Sequence, residues 1–562
     1  MGPLFQHVTI ETLSDDILLD IFRYNLVITP RFWPILAFVC KKWRQVVLTS
    51  PLSLNIRLHC THGTPVLKAI ECWPAFPIVI QYGGLPSLRP PAPKDDDNII
   101  AALKQSGRVR SISLTVPSSL IKNLSSISEP LSELEELILL TQDDIQLTLP
   151  PAFRWGSRLR ILHVSRIAIP SLPLLLAPSQ GLMDVQLHEI PGAGFVPPEA
   201  FANALSGMAQ LQSLTFHLLS FPRRRSYFTL PPLSGGRVVL PALTCLKYRG
   251  TSKYLDGLVA RIDAPQLGDL DITFFSQPTM DTQQLGRFIE RIEMHTSFSH
   301  VEVENSAHTI SINFTNSSAS TRHLRLQISC KQLDWQISSM TQVCGSFSPF
   351  LSCVSNVGIK MIKPSSGNES NDVDGEQWLE LVHSLSGASN VSVAGEVAAD
   401  ILSVLSPRSG ITADTNVLPA LQILRVRMPD SVNEQFRDAV QPFITSRWLS
   451  GRPVELQFLC HICGTSFTRQ QGLKTHLVDQ HAYRIMCSYC DNFEHERGQD
   501  HLYRDHVEGK HPEVARNDEL FSNPFSTLSL PSELEALVNR HSSLRAPVVV
   551  APSTAAMGPH SQ

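Results

Sequence analysis

Cysteine and histidine cluster near the C-terminal end of the chain. Cys460 and Cys463 are separated by two residues, His476 follows after twelve more, and His481 after a further four. Two thiols three apart suit a tight hairpin turn. Two imidazoles five apart suit the end of a helix. Such a set of four is what zinc takes up in a closed tetrahedron of thiolate and imidazole ligands. A unit this small buries too little apolar surface to fold alone, so metal binding would supply its folding free energy. Four protein ligands leave no position for water or substrate, which makes the expected site structural. A second cluster follows: Cys487 and Cys490, then Phe493, His495, His501, Leu502, His506 and His511. His506 and His511 repeat the four-residue gap and precede Pro512, which stops a helix. His501 and His506 share that spacing, but His506 and His511 end the helix-like run 500–511 and are the pair expected to bind. The gap from Cys490 to His506 is longer than that from Cys463 to His476.

Both segments resemble Cys2His2 zinc fingers, the second an atypical one. Phe467 and Leu473 stand where that family places its two core apolar residues. The resemblance implies two ββα units, over residues 458–483 and 485–512, and Zn2+ as cofactor. It also implies that bases, if any, would be read from Arg469, Gly472 and Thr475. Arg469 suits guanine, but Gly472 has no side chain to reach with. The segment Ala482-Tyr-Arg-Ile-Met486 lacks the Thr-Gly-Glu-Lys-Pro linker of tandem DNA-reading fingers. Residues 456–516 hold seven Lys/Arg against eight Asp/Glu, so little affinity for phosphate is expected. Contact with protein, or stabilisation of the C-terminal end, fits better than nucleic-acid binding.

These elements hang on a much longer chain whose N-terminal part is helical in pattern. Ser14 is a candidate N-cap, with Asp15 and Asp16 complementing the positive end of the helix dipole. Ile17, Leu18, Ile21 and Phe22 form an apolar face. Beyond Pro30 and Pro34, a second helix is expected to carry Leu36, Val39, Cys40, Trp43 and Val47. The segment resembles the F-box, whose pattern is Leu-Pro-x-Glu-Ile-Leu, then Ile-Phe, then Val-Cys-x-x-Trp. Leu13, Asp16, Ile17, Leu18, Ile21, Phe22, Val39, Cys40 and Trp43 match, and Ser14 stands in place of the proline. The resemblance covers residues 8–58 and implies docking on a Skp-type adaptor and, through it, a cullin. Leu13, Ile17, Leu18, Ile21, Phe22, Val39, Cys40 and Trp43 are then the candidate adaptor-binding set, shared with the module's own core.

Between them, residues 98–450 carry a loose repeat of apolar-x-x-apolar-x-apolar triplets. These are Val109/Ile112/Leu114, Leu134/Leu137/Leu139, Leu159/Leu162/Val164, Leu182/Val185/Leu187, Leu211/Leu214/Phe216, Leu243/Leu246/Tyr248 and Leu267/Leu270/Ile272. Successive starts lie 25, 25, 23, 29, 32 and 24 residues apart, in or near the leucine-rich-repeat range. Leu421/Leu424/Val426 forms a later copy. The Asn or Cys usual three residues after each triplet is absent, so the ladder of side chains that satisfies backbone in regular repeats is expected to be missing. The expected fold is α/β: an N-terminal helical F-box, an irregular leucine-rich-repeat solenoid and C-terminal ββα zinc fingers. Residues 83–97 read as a linker and 513–562 as a poorly ordered tail. The whole resembles the F-box and repeat proteins of mushroom-forming fungi, in which the repeats hold a protein substrate.

Composition fits that reading. Hydrophobic residues make up 43% and charged residues 17%, enough for a large core, and the net charge of −4 gives no global attraction to nucleic acid. Seven of the eleven cysteines lie outside the two clusters, scattered through apolar contexts. That pattern fits reduced thiols in the cytoplasm or nucleus. No signal peptide or membrane-length apolar run is seen. Phosphate-cradling, His-Glu-x-x-His and Gly-x-Ser-x-Gly motifs are absent, so the chain is read as non-enzymatic.

Overall fold

The triplets become strands of one parallel ladder. In the computed structural model most of residues 12–468 are described, together with a few up to Gly509. The main stretches outside the description are 1–11, 84–92, 117–123, 142–146, 220–235, 293–297, 317–321, 362–374, 402–416, 428–433, 469–475, 477–483, 487–493, 497–508 and 510–562. The linker is therefore only partly described, and the expected tail lies outside the described residues. The chain divides into two compact units. The first comprises residues 1–391 and 408–421, and the second residues 392–407 and 422–562.

In the first unit, Val109–Val116, Glu136–Thr141, Ile161–Ser165, Asp184–Ile190, Ser213–Leu218, Cys245–Gly250 and Asp269–Phe275 pair in parallel, each with the next. One register line runs Ile112, Leu137, Leu162, Val185, Leu214, Leu246, Leu270. All triplet side chains are buried, Leu421 being the most exposed at 3%. Alternate residues point away from the core, as the pleat requires. Aromatic side chains widen the core where the spacing is longest. Phe216 lies 5.0 Å from Phe201 and 5.3 Å from Tyr254, ring centre to ring centre, and Tyr248 stacks on Tyr254 at 6.1 Å.

The missing asparagine ladder is replaced largely by main chain. The residue before each strand donates back to the previous turn of the ladder: Glu135 N to Arg110 O, at the start of Val109–Val116, and then, each to the residue before the previous strand, Arg160 to Glu135, Met183 to Arg160, Gln212 to Met183, Thr244 to Gln212 and Gly268 to Thr244. Individual side chains finish the work. Trp155 Nε1 donates to Ser179 Oγ (2.9 Å), and Tyr254 Oη donates to the Val196 carbonyl (2.8 Å). A short side-chain ladder does occur farther on, at strand starts. Asn390 Nδ2 donates to Asn356 Oδ1 at 2.9 Å, and Asn356 Nδ2 donates to the Ser299 carbonyl at 3.3 Å.

Two expectations need correction. The ladder does not begin at residue 98. Leu58–Cys60 and Ile78–Tyr82 pair in parallel, and the second pairs with Val109–Val116. Short runs with alternate residues buried, Leu58/Cys60 and Ile78/Ile80/Tyr82, make strands without the leading triplet residue. After Asp269–Phe275 the order also changes. His323–Ser329 takes the next parallel place. Thr309–Thr315 is antiparallel to it, His300–Asn305 is antiparallel to that, and Asn356–Met361 runs parallel to His300–Asn305. These strands alternate strictly, as in Ile310, Ile312 and Phe314, all fully buried. Period-two patterning favours hairpin pairing over a repeat turn.

Helices back the strands where the pattern places them. Two of them are Pro198–Leu205 and Gln283–Arg291. The second has no side-chain cap from its own Thr282. It is capped from the preceding turn instead. Asp256 Oδ1, on a residue only 4% exposed, accepts from the amides of Gln284 (2.6 Å) and Leu285 (2.9 Å). Burial pushes the Asp256 carboxyl up from 3.8 to about 6, outweighing these two donors. The folded chain therefore holds this proton more tightly than the unfolded chain does. The stability involved is complete below pH 3.8 and is lost as pH rises through about 6. Asp256→Asn keeps an acceptor without the charge. Its thermal midpoint minus the parent's is expected to grow by about 2 °C or more between pH 4 and 7; a difference independent of pH would refute this.

Candidate metal centre and docking face

The metal-ligand set sits at the end of a strand–helix–strand unit. Ile423–Arg427 leads through the helix Glu434–Leu449 to Glu455–Leu459, and the two strands are parallel. Cys460 is the next residue and is fully buried. The chain then turns tightly. Gly464 N donates to the Cys460 carbonyl at 3.0 Å, and Cys460 N to the Thr465 carbonyl at 2.9 Å. Gly464 has φ of +75°, which a residue with a side chain adopts only under strain. Ser466–Phe467 returns antiparallel, pairing Phe458 with Phe467 and Leu459 with Ser466.

This hairpin brings together Cys460, Cys463 and His476, whose ligand atoms all lie within 4.8 Å of one another. Cys463 Sγ is 3.2 Å from His476 Nε2, and the His476 ring packs on Phe467 with centres 4.8 Å apart. A zinc tetrahedron with bonds of about 2.0–2.3 Å has ligand-to-ligand edges of roughly 3.5–3.8 Å. Two soft thiols and an imidazole at these separations fit zinc in donor type and spacing. His481, the fourth expected ligand, lies outside the described residues, as does Leu473. The second set of ligands, Cys487, Cys490, His506 and His511, also lies outside them. Its hairpin does not: Arg484–Met486 pairs antiparallel with Glu494–Glu496. Cys487 follows the first strand directly, as Cys460 follows Leu459.

The N-terminal segment forms three helices, α1 (Asp15–Ile28), α2 (Trp33–Val39) and α3 (Lys41–Thr49). Ser14 caps α1, its Oγ accepting from Ile17 N at 3.5 Å. The single second helix expected from the sequence is broken at Cys40. Its backbone is extended there, and its sulfur accepts from Trp43 N at 3.4 Å, capping α3. The break lets Phe22 meet Trp43 edge-on, ring centres 4.7 Å apart.

The structure sorts the eight candidate adaptor residues. Leu18 and Phe22 are wholly buried in the module's core, and Leu13, Cys40 and Trp43 are partly covered. Ile17, Ile21 and Val39 remain exposed, at 49%, 39% and 53%. With Tyr24 and Ile28, also exposed, Ile17 and Ile21 make a stripe at helical spacing along α1. That helix is apolar on two faces and buries only one, where an ordinary surface helix would be polar outside. Phe32, Ile35 and Phe38, also exposed, were not singled out from the sequence. They lie in or beside α2, outside the F-box pattern, and only the break at Cys40 shows which side of α2 is left uncovered.

The histidines His163, His188 and His217 share the outward side of the ladder. His163 Nε2 meets Asp184 Oδ2 at 2.7 Å, and Gln186 Nε2 donates to the same oxygen at 2.9 Å. Gln186 Oε1 faces His188 Nε2 at 3.2 Å, and the Nδ1 atoms of His188 and His217 are 3.2 Å apart. Burial lowers both of these imidazoles, His217 to about 4; His163 adds to the effect at His188 against Glu189 and Asp184, and His188 and Arg249 add to it at His217. The pair is thus neutral near pH 7 and satisfied by its own hydrogen bonds.

Comparison with protein families finds none that matches this chain, and comparison with curated proteins finds none either. Among solved structures, the leucine-rich repeat-containing protein LegL7 from Legionella pneumophila is similar at 11% identity and a TM-score of 0.23. That match covers 69% of this chain and 97% of the other. A likeness so remote adds nothing to the register and hydrogen bonds above. No helix among the described residues is long and apolar enough to cross a membrane.

Proposed function

We propose that this chain is the substrate-receptor subunit of a cullin-based ubiquitin ligase. Its F-box-like helices would dock a Skp-type adaptor, its repeat ladder would hold a protein substrate, and its C-terminal fingers would bind zinc as structural sites. The observation that carries the docking reading is the second apolar stripe of α1, exposed on a helix whose other face already fills the core. Burying such a stripe against a partner gains roughly 25 cal/mol for each Å² removed from water. The ladder supports the receptor reading because a single file of parallel strands presents a row of outward side chains to a partner. The reading is non-enzymatic and places the protein where cullin ligases work, in the cytoplasm or nucleus. Co-purification of the tagged full chain with a Skp-type adaptor and a cullin is the direct test; failure to capture the adaptor overturns the reading.

Nucleic-acid binding by the fingers is the rival. The near balance of charge over residues 456–516 argues against it. The full chain is expected to bind random duplex DNA no tighter than about 10 μM at physiological salt. Nanomolar, sequence-selective binding with a steep salt dependence would favour the rival instead.

A further inference from the structure

The first metal centre is built onto the closing strand of the strand–helix–strand unit. Glu455–Leu459 pairs on one side with Ile423–Arg427, in the register Leu424 to Leu456 and Val426 to Phe458. On its other side it pairs with Ser466–Phe467, the return strand of the ligand hairpin. The same five residues are thus the closing strand of a strand–helix–strand turn and the first strand of the finger. Side chains reinforce the join: Arg425 Nε donates to Gln457 Oε1 at 3.1 Å. Leu424 and Val426 are wholly buried, and Phe458 is 9% exposed.

The return strand is only two residues long, and a hairpin that short is marginal alone. What closes it is the turn from Cys460 to Thr465, which carries two of the three gathered ligands. Arg427, from the neighbouring strand, reaches the same turn. Its Nη2 lies 3.9 Å from where a Cβ on Gly464 would stand, and its buried Nε has no hydrogen-bond partner among the described residues.

We infer that zinc at Cys460, Cys463 and His476 serves as the C-terminal cap of this strand–helix–strand turn, so that metal loss opens repeat strands as well as the finger. This rests on the zinc reading proposed above. Stacked repeats need their terminal edge covered, because an open strand edge is unsatisfied and prone to pair with other chains. Here the cover is a hairpin whose closure depends on metal. The coupling is reciprocal, as binding linkage requires.

The test is hydrogen exchange on the full chain, with zinc content measured on the same samples. Three states are compared: the parent, the parent stripped by chelator, and Cys463→Ser. Stripping is expected to speed exchange at least about tenfold in Glu455–Leu459 and Ile423–Arg427. Asp184–Ile190, in the other compact unit, serves as the internal control and should not change. In the reverse direction, Leu424→Ala changes no ligand. It is expected to speed zinc transfer to a chelator by about tenfold, within the usual range of coupling. Zinc lost with exchange changing only in residues 460–481, and an unaltered release rate in Leu424→Ala, would overturn the cap and leave the zinc site standing. A parent without zinc would overturn both. Cys463→Ser that unfolds throughout would show in the control strand, and the chelator and Leu424→Ala arms would then decide.

Discussion

Replacing Ile17 and Ile21 together by aspartate is expected to abolish capture of a Skp-type adaptor while leaving the chain folded. Both side chains are exposed, and they lie four residues apart on the uncovered stripe of α1. Two carboxylates in the first two turns of a helix are tolerated by its dipole. At the centre of an apolar interface they would be desolvated without partners. Disrupting a central interface residue costs about 2 kcal/mol or more, so even if only one of the two changes acts fully, adaptor affinity should fall about thirtyfold. Leu18→Asp is the contrasting variant. Leu18 is wholly buried beside Phe22, and an unpaired charge there should cost about 4 kcal/mol or more and melt the three helices. Circular dichroism and limited proteolysis separate the two outcomes. Capture by the Ile17/Ile21 double variant equal to the parent's would remove the stripe from the interface. Unfolding of that variant would show that the face is structural.

That contrast shows what the sequence could and could not convey. The F-box pattern located eight residues but could not divide core from surface, because apolar residues fill both faces of α1. The division depends on which face α3 covers, and that follows from the break at Cys40. Cys40 has an ordinary position in the pattern, and nothing in its neighbours signals a cap. The repeat triplets were more legible. Each has two residues pointing inward on a strand and one in the preceding turn, so burial enforces all three at a fixed spacing. Strands without the preceding turn residue, such as Leu58–Cys60 and His323–Ser329, escaped the pattern although their alternation was plain. The cysteine and histidine spacing identified the gathered set of Cys460, Cys463 and His476. It did not reveal that Glu455–Leu459 also pairs with Ile423–Arg427. Strand pairing across some thirty residues depends on the helix Glu434–Leu449 between them, which no local signal near the ligands records.

The full chain is expected to hold two zinc ions, and the hairpins indicate which histidines hold the second. In the first cluster the return strand ends at Phe467, and His476 follows nine residues later. At that separation the His476 imidazole reaches the sulfurs. In the second cluster the return strand ends at Glu496. His506 lies ten residues beyond it, and His501 only five. The long gap between Cys490 and His506 is thus taken up in the hairpin, and the distance from strand to first histidine is nearly the same in both clusters. Five residues span little more than one helical turn, about 7.5 Å, which is short for a chain that must reverse direction before its imidazole can reach the cysteines. His501→Ala should therefore leave two zinc ions per chain, whereas His506→Ala and His511→Ala should each leave one. Cys463→Ser should lose the other ion and keep the second. Metal analysis of the purified full-length variants reads all four directly. A parent with one zinc would reduce the second cluster to a finger without metal. Loss of an ion in His501→Ala but not in His511→Ala would assign the second site to His501 and His506.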